Sequence, residues 1–288
     1  MADIALRLGT DVLVLQGMPD VTLRSQGFDE VMPALNLSEP ETVADMHALY
    51  RAAGADVAVT NTAGATSDRL SDSGLAGVTA QVNAQGVRLA RGAGYPHVLA
   101  RMTPCKHAAE DGDDASSPLV ARELYAEQAE ALASADPDAL LVSGFPTARA
   151  ALPALAAARD AAGVPVIVTL CLAQGASEDA SGWASAAREL EGAGAAALGV
   201  EGMGVEASAK ALQAIAGACD LPLVAIPDLD APAHLPSPAR RDRLADQAAQ
   251  AAQTLAQAGA CLIGLGAGSS PAACGAIFAE VGGTRVRR

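Results

Sequence analysis

Residues 34–66 read ALNLSEPETVADMHALYRAAGADVAVTNTAGAT. Ser38 followed by Glu41 predicts a capping box, each side chain answering a free backbone N–H at the start of a helix. Val43, Met46 and Tyr50 recur at three- and four-residue spacing, which gives that helix one apolar face. Gly54 is placed to end it. The next residues are apolar without alternation, the pattern of a parallel strand covered on both faces. A helix closed by glycine and leading directly into a buried strand is the unit of an α/β fold.

The unit repeats. The phrases AAGAD, AAGVP, GAGAA and QAGAC each stand just before an apolar run. Strands are predicted near 12–16, 56–60, 97–101, 139–143, 165–170, 196–200, 222–226 and 260–264. Ser117-Pro118, Ser237-Pro238 and Ser270-Pro271 read as N-caps with proline in the first helical turn. Eight such units in 288 residues predict a single-domain (β/α)8 TIM barrel over residues 1–288. A doubly wound open sheet is the alternative, because periodicity does not show closure. Two longer loops, 104–117 and 227–238, follow the third and seventh strands and would lie on the face where barrels carry their sites.

Composition narrows the function classes. Half the chain is hydrophobic but only 2% is aromatic, so the core is aliphatic and finely divided. The formal charge is −14 and the pI is about 4.6, with no basic run beyond Arg285, Arg287 and Arg288. That argues against nucleic acid and anionic membranes as partners. No apolar run approaches the length of a membrane span. The five cysteines, 105, 171, 219, 261 and 274, are odd in number and lack metal-type spacing, which with the missing signal peptide predicts a reducing, cytoplasmic setting.

The block 36–62 resembles the homocysteine S-methyltransferase family, which includes the homocysteine-binding barrel of cobalamin-dependent methionine synthase. The family pattern runs N-L-T-x-P-x-x-V-x-x-I-H-x-x-Y-x-x-A-G-A-D-I-I-x-T-N-T. This chain matches it at Asn36, Leu37, Pro40, Val43, His47, Tyr50, Ala53, Gly54, Ala55, Asp56, Thr60, Asn61 and Thr62. Leu75, Val78, Asn83, Val87, Leu89, Ala90 and Arg91 are similar to the family's next helix, and Tyr125, Glu127 and Gln128 to the one after.

The resemblance implies a zinc ion that turns the acceptor thiol into a thiolate, held by one cysteine after strand six and two after strand eight. Here those positions register with Gly202, Gly266 and Ala267, none of which has a metal-binding side chain. Other family motifs also change. D-G-A-M-G-T becomes the stretch beginning Gln16-Gly17, I-E-T-F becomes Val142-Ser143-Gly144-Phe145, and S-I-G-P becomes Arg101-Met102-Thr103-Pro104. No cofactor is therefore expected, and zinc is not expected.

Candidate site residues follow from the strand ends. Glu201 and Asn61 are the catalytic candidates, Glu201 as a base or as a binder of a cationic substrate. Gln16, Gly17, Asn61, Ser143, Cys171, Gly266, Gly268 and Ser269 are the substrate-binding candidates. The glycines 264, 266 and 268 followed by Ser269 and Ser270 could cradle an anion at a helix start, or simply form a tight turn. Cys105, His107, Cys171 and Glu201 could form a relocated metal site, or pack as small side chains. His47 and Trp183 read as structural. The leading reading is a divergent member of this family that transfers a methyl group to or from a small molecule, with a separate corrinoid protein as a candidate partner. The alternatives are a non-catalytic barrel that binds a ligand or partner, its mouth filled by Met18, Met203 or Leu265, and a thiol methyltransferase with a relocated metal.

Overall fold

The computed structural model of the chain describes residues 3–29, 31–107, 118–171, 180–230 and 237–286. Eight parallel strands form one sheet: β1 Leu13–Val14, β2 Val57–Val59, β3 His97–Met102, β4 Ala139–Phe145, β5 Val166–Leu170, β6 Ala197–Glu201, β7 Leu223–Ile226 and β8 Ala260–Ile263. Each pairs with its sequence neighbour, and β1 pairs with β8. A bridge between Leu15 and Val57 joins β1 to β2, with Gln16 N donating to Val57 O at 2.9 Å. That bridge closes the sheet into a (β/α)8 barrel and decides against the open doubly wound arrangement.

Strand parity divides the core in two. Val57, Val59, Leu99, Leu141 and Ile167 point into the barrel, while Ala58, Val98, Ala100, Leu140 and Val142 pack outward on the helices. Both faces are apolar, which is why the strands read as unbroken apolar runs. A short helix, Ile4–Leu8, lies across the amino-terminal end, and Ile4 and Leu8 are buried in the same cluster as the inward residues. The sequence reading placed no element there.

Two helix starts differ from expectation. Ser38 ends a short helix, Leu35–Ser38, and its Oγ donates to Ala34 O at 3.3 Å. The next helix, Pro40–Ala52, begins after Glu39 with no side-chain cap. The N-cap position falls on Glu39, one residue past the serine, and Pro40 takes the first helical position, where its missing N–H has no helical partner to lose. Ser237 lies inside its helix, Ser237–Gln257, rather than before it. Ser270 does cap the helix Pro271–Val281, accepting from Ala273 N at 3.2 Å. Gly54 has φ +106° and lies under the Phe278 ring, where a Cβ would stand 2.5 Å away, so the turn and the close approach both need glycine. Ser117, residues 108–117, residues 231–236 and Arg287–Arg288 lie outside the described residues. Among the described residues, no helix is long and apolar enough to cross a membrane.

At Gly199, β6 lies close against the backbone of β7. An added Cβ there would stand 1.9 Å from the Val224 carbonyl oxygen of β7. Gly199→Ala must therefore push two hydrogen-bonded strands apart. We expect it to lower stability by about 1–3 kcal/mol or more, read as an earlier denaturant midpoint. An unchanged midpoint would mean that the barrel wall yields here.

Candidate functional site

The same parity that fills the barrel with Leu99, Leu141 and Ile167 places a polar layer above them. Two residues further along each strand stand Arg101, Ser143 and Thr169, with Glu201 at the end of β6. All four side chains are buried. Arg101 is only 7% exposed, so its guanidinium must find partners inside. Its Nε donates to Ser143 Oγ at 2.8 Å and its Nη1 donates to Asp20 Oδ1 at 2.8 Å. Its Nη2 stands 3.9 Å from Glu201 Oε1. Thr169 Oγ1 donates to Glu201 Oε2 at 2.8 Å.

Above this layer lies a cavity of about 200 Å³. Arg101, Glu201, Asp20, Asp228, Cys171 and Met18 line it. Three carboxylates thus share the space with one guanidinium. Arg101 is paired closely with Asp20, so Glu201 and Asp228 leave the mouth with a negative balance. Burial pushes the Glu201 carboxyl above its ordinary pKa. Arg101 and the Thr169 hydrogen bond oppose that rise, and Asp20 and Asp228 add to it. Burial also raises the Cys171 thiol, with Glu201 and Asp228 reinforcing the effect, so Cys171 is held as a thiol.

The glycine loop after β8 is already filled by an internal anion. Asp228 Oδ1 accepts from Ala267 N at 2.6 Å. Gly266 N donates to Pro227 O at 3.0 Å and Ser269 N to Gly266 O at 3.3 Å. These amides are committed within the protein. Asp228 also takes the room beside Gly266, where a Cβ would stand 2.3 Å from Oδ1. At Gly202 a Cβ would stand 2.8 Å from Cys171 Sγ. Two of the three positions that the family resemblance assigns to zinc ligands are thus crowded by a carboxylate and a thiol. Among the described residues, no three His, Cys, Asp or Glu side chains converge as a metal site.

Of the candidates read from sequence, Glu201, Cys171 and Gly266 line the cavity. Ser143 stands behind it and holds Arg101. The rest lie elsewhere. Gln16 falls on the helix-facing side of β1, where its Oε1 accepts from His47 Nδ1 at 2.9 Å and its Nε2 donates to Val59 O at 3.1 Å. Gly17 packs under Ser269, whose Oγ would lie 1.6 Å from an added Cβ. Ser269 Oγ is bonded to Tyr50 OH at 2.8 Å. Gly268 forms a tight turn against Leu229. Asn61 lies beyond the end of β2, where strand parity no longer aims its side chain inward. Its Nδ2 donates to Met32 O at 2.7 Å and to Asn36 Oδ1 at 3.1 Å. His47 is fully buried, which lowers its pKa to about 3 and keeps it neutral. Cys261 and Cys274 are packing thiols, pushed up to about 12 by burial.

The sequence reading missed Asp20, Arg101 and Asp228 as site residues. Arg101 carried a usable signal, since a charge inside an apolar strand requires a buried partner. Asp228 stands directly after β7, at the face where barrel sites form.

A model of the family described as homocysteine S-methyltransferase matches residues 13–281. The chain belongs to the homocysteine S-methyltransferase family. The crystal structure of the metallated homocysteine methyltransferase MmuM from Escherichia coli is similar at 23% identity and a TM-score of 0.78, covering 96% of this chain and 98% of that one. Its apo form is similar at a TM-score of 0.70, with 23% identity over 94% and 96% of the two chains. The carboxyl transferase domain of Rhizobium etli pyruvate carboxylase, as the Y628A variant with pyruvate, is similar at 16% identity and a TM-score of 0.58, over 91% of this chain and 41% of that one. At these identities the likeness to the solved structures is one of fold. No curated protein matches the chain by sequence.

The raised pKa of Glu201 has a consequence for stability. A carboxyl that holds its proton more tightly when folded contributes most below its unfolded value, near 4.5, and loses that contribution as pH rises toward the folded value. Glu201→Gln fixes the protonated shape. It should match the wild type in denaturant unfolding at low pH and become the more stable protein as pH rises, with the gap then levelling. A gap that narrows with rising pH would contradict the raised pKa.

Proposed function

We propose that this family member transfers a methyl group to or from a small molecule without the family's three-cysteine zinc site. The observation that supports this most is the pairing of an open, acid-rich cavity with the two crowded ligand positions, Gly202 beside Cys171 and Gly266 beside Asp228. Zinc serves such a reaction by ionising a weakly acidic thiol. Without it, the acceptor must be nucleophilic already or must give its proton to a protein base. Glu201 suits that role. It is buried at the cavity wall, it is anchored by Thr169, and burial raises its pKa and so strengthens it as a base. The negative balance of the mouth favours a cationic methyl donor, because a fixed carboxylate in a buried site stabilises the onium before its charge is lost.

The cavity also bears on the non-catalytic alternative. Met18 reaches the mouth but leaves about 200 Å³ open among charged groups, enough for a ligand rather than a plugged barrel.

The test is turnover of an isotope-labelled methyl-sulfonium donor against a panel of thiol and amine acceptors, homocysteine included, with metal content measured on the same sample. We expect methyl transfer that survives chelation. Glu201→Gln should lower kcat/KM by about 100-fold or more. Stoichiometric zinc with chelator-sensitive homocysteine methylation would overturn the proposal. Saturable binding with no turnover on any acceptor would replace it with a ligand-binding barrel.

A further inference from the structure

Beside the mouth lies a second cavity of about 220 Å³. Asp20 lines both cavities, so the Asp20–Arg101 ion pair forms their shared wall. The side cavity carries two carboxylates, Asp20 and Asp72, and two guanidiniums, Arg24 and Arg69. The carboxylates are both engaged, Asp20 by Arg101 and Asp72 by Lys106. Among the described residues, neither Arg24 nor Arg69 has a carboxylate within ion-pair distance. The cavity therefore offers unspent positive charge beside a mouth that offers negative charge.

Arg69 is held for a purpose that its own contacts do not use. Its Nε donates to Pro104 O at 2.7 Å. Its stem lies against Gly64, where a Cβ would stand 3.3 Å from Cδ. Gly64 N in turn donates to Thr103 Oγ1 at 2.8 Å, which fixes that loop. With stem and Nε anchored, the two terminal nitrogens remain as a fork of set orientation. Such a fork matches the two oxygens of a carboxylate. Val31, Met32, Pro33 and Ala63 supply an apolar wall next to it, suited to a short hydrocarbon body.

We propose that the side cavity binds a small carboxylic acid through Arg69, with Arg24 as a second cation, and seats the carboxylate of the second reactant. The role in the reaction rests on the methyl-transfer reading. The affinity for carboxylate does not.

Titration of the full chain with carbon-13 propionate, followed by NMR, tests the site directly. Propionate should bind saturably and its neutral isostere propionamide should not. Arg69→Gln should weaken propionate by about tenfold or more, the scale of one charge-assisted bidentate contact. Arg24 is exposed and, among the described residues, has no ion-pair partner, so Arg24→Gln should leave the fold intact and still weaken binding several-fold. Glu201→Gln, which alters the mouth alone, should bind propionate as the wild type does. Propionamide binding as well as propionate, inorganic phosphate binding more tightly than either, or wild-type affinity in both arginine variants would overturn the site. Intact propionate binding in a protein that transfers no methyl group would overturn its role in the reaction and leave the carboxylate site standing.

Discussion

A guanidinium buried at the carboxyl end of β3 sets the terms for everything around it. Arg101 cannot shed its charge, and at 7% exposure it cannot leave that charge to water. It therefore binds Asp20 from the helix Pro19–Ser25 that follows β1 and Ser143 from β4, and stands against Glu201 from β6. Three separate elements are tied to one side chain. Loss of Asp20 would remove the shorter of two ion pairs from a buried cation and leave it Glu201 at 3.9 Å. The shape and charge of the mouth follow from meeting that demand, and the acids that remain beyond it face the cavity.

The residues that carry the family resemblance do a different job. Asn36 donates to Asn61 O and Val82 O, Asn83 donates to Ala65 O, and Gln128 donates to Thr62 O. Thr62 donates to Arg101 O and is bonded to Thr60. These side chains satisfy the backbone of the loop leaving β2, which is buried where most loops are wet. The loop needs amides and hydroxyls of fixed reach whatever chemistry the mouth performs. Gly86 fits the same demand, since a Cβ there would stand 2.7 Å from Asn36 Nδ2. A barrel can therefore keep this block while the strand ends beside it vary.

How far the site was legible follows from which way each strand end points. Glu201 lines the cavity because it ends a strand whose alternate residues face the barrel. Asn61 and Gln16 lie outside the cavity lining for opposite reasons. Asn61 lies past the last paired residue of β2, so strand parity no longer applies to it. Gln16 lies one step out of phase with Leu13 and Leu15 and meets the buried His47 on the outer face. Asp20 sits in the helix Pro19–Ser25 and Asp228 in the loop after β7, and only folding shows that one reaches Arg101 and the other fills the glycine turn.

The sequence by itself determined the eight parallel strands, the helices that cover them and the family. Those depend on local spacing and on apolar runs, which are written along the chain. It also showed no cysteine at 202, 266 or 267, the positions that the family resemblance assigns to zinc ligands. Only the tertiary structure decided that the sheet closes, that a helix at residues 4–8 seals its lower end, and that Arg101, Asp20, Glu201 and Asp228 share one space. Closure depends on a bridge between the first two strands, and the shared space on side chains separated by up to most of the chain. Such pairings have no period to read, because they are set by the partner that a buried charge or an open edge must find.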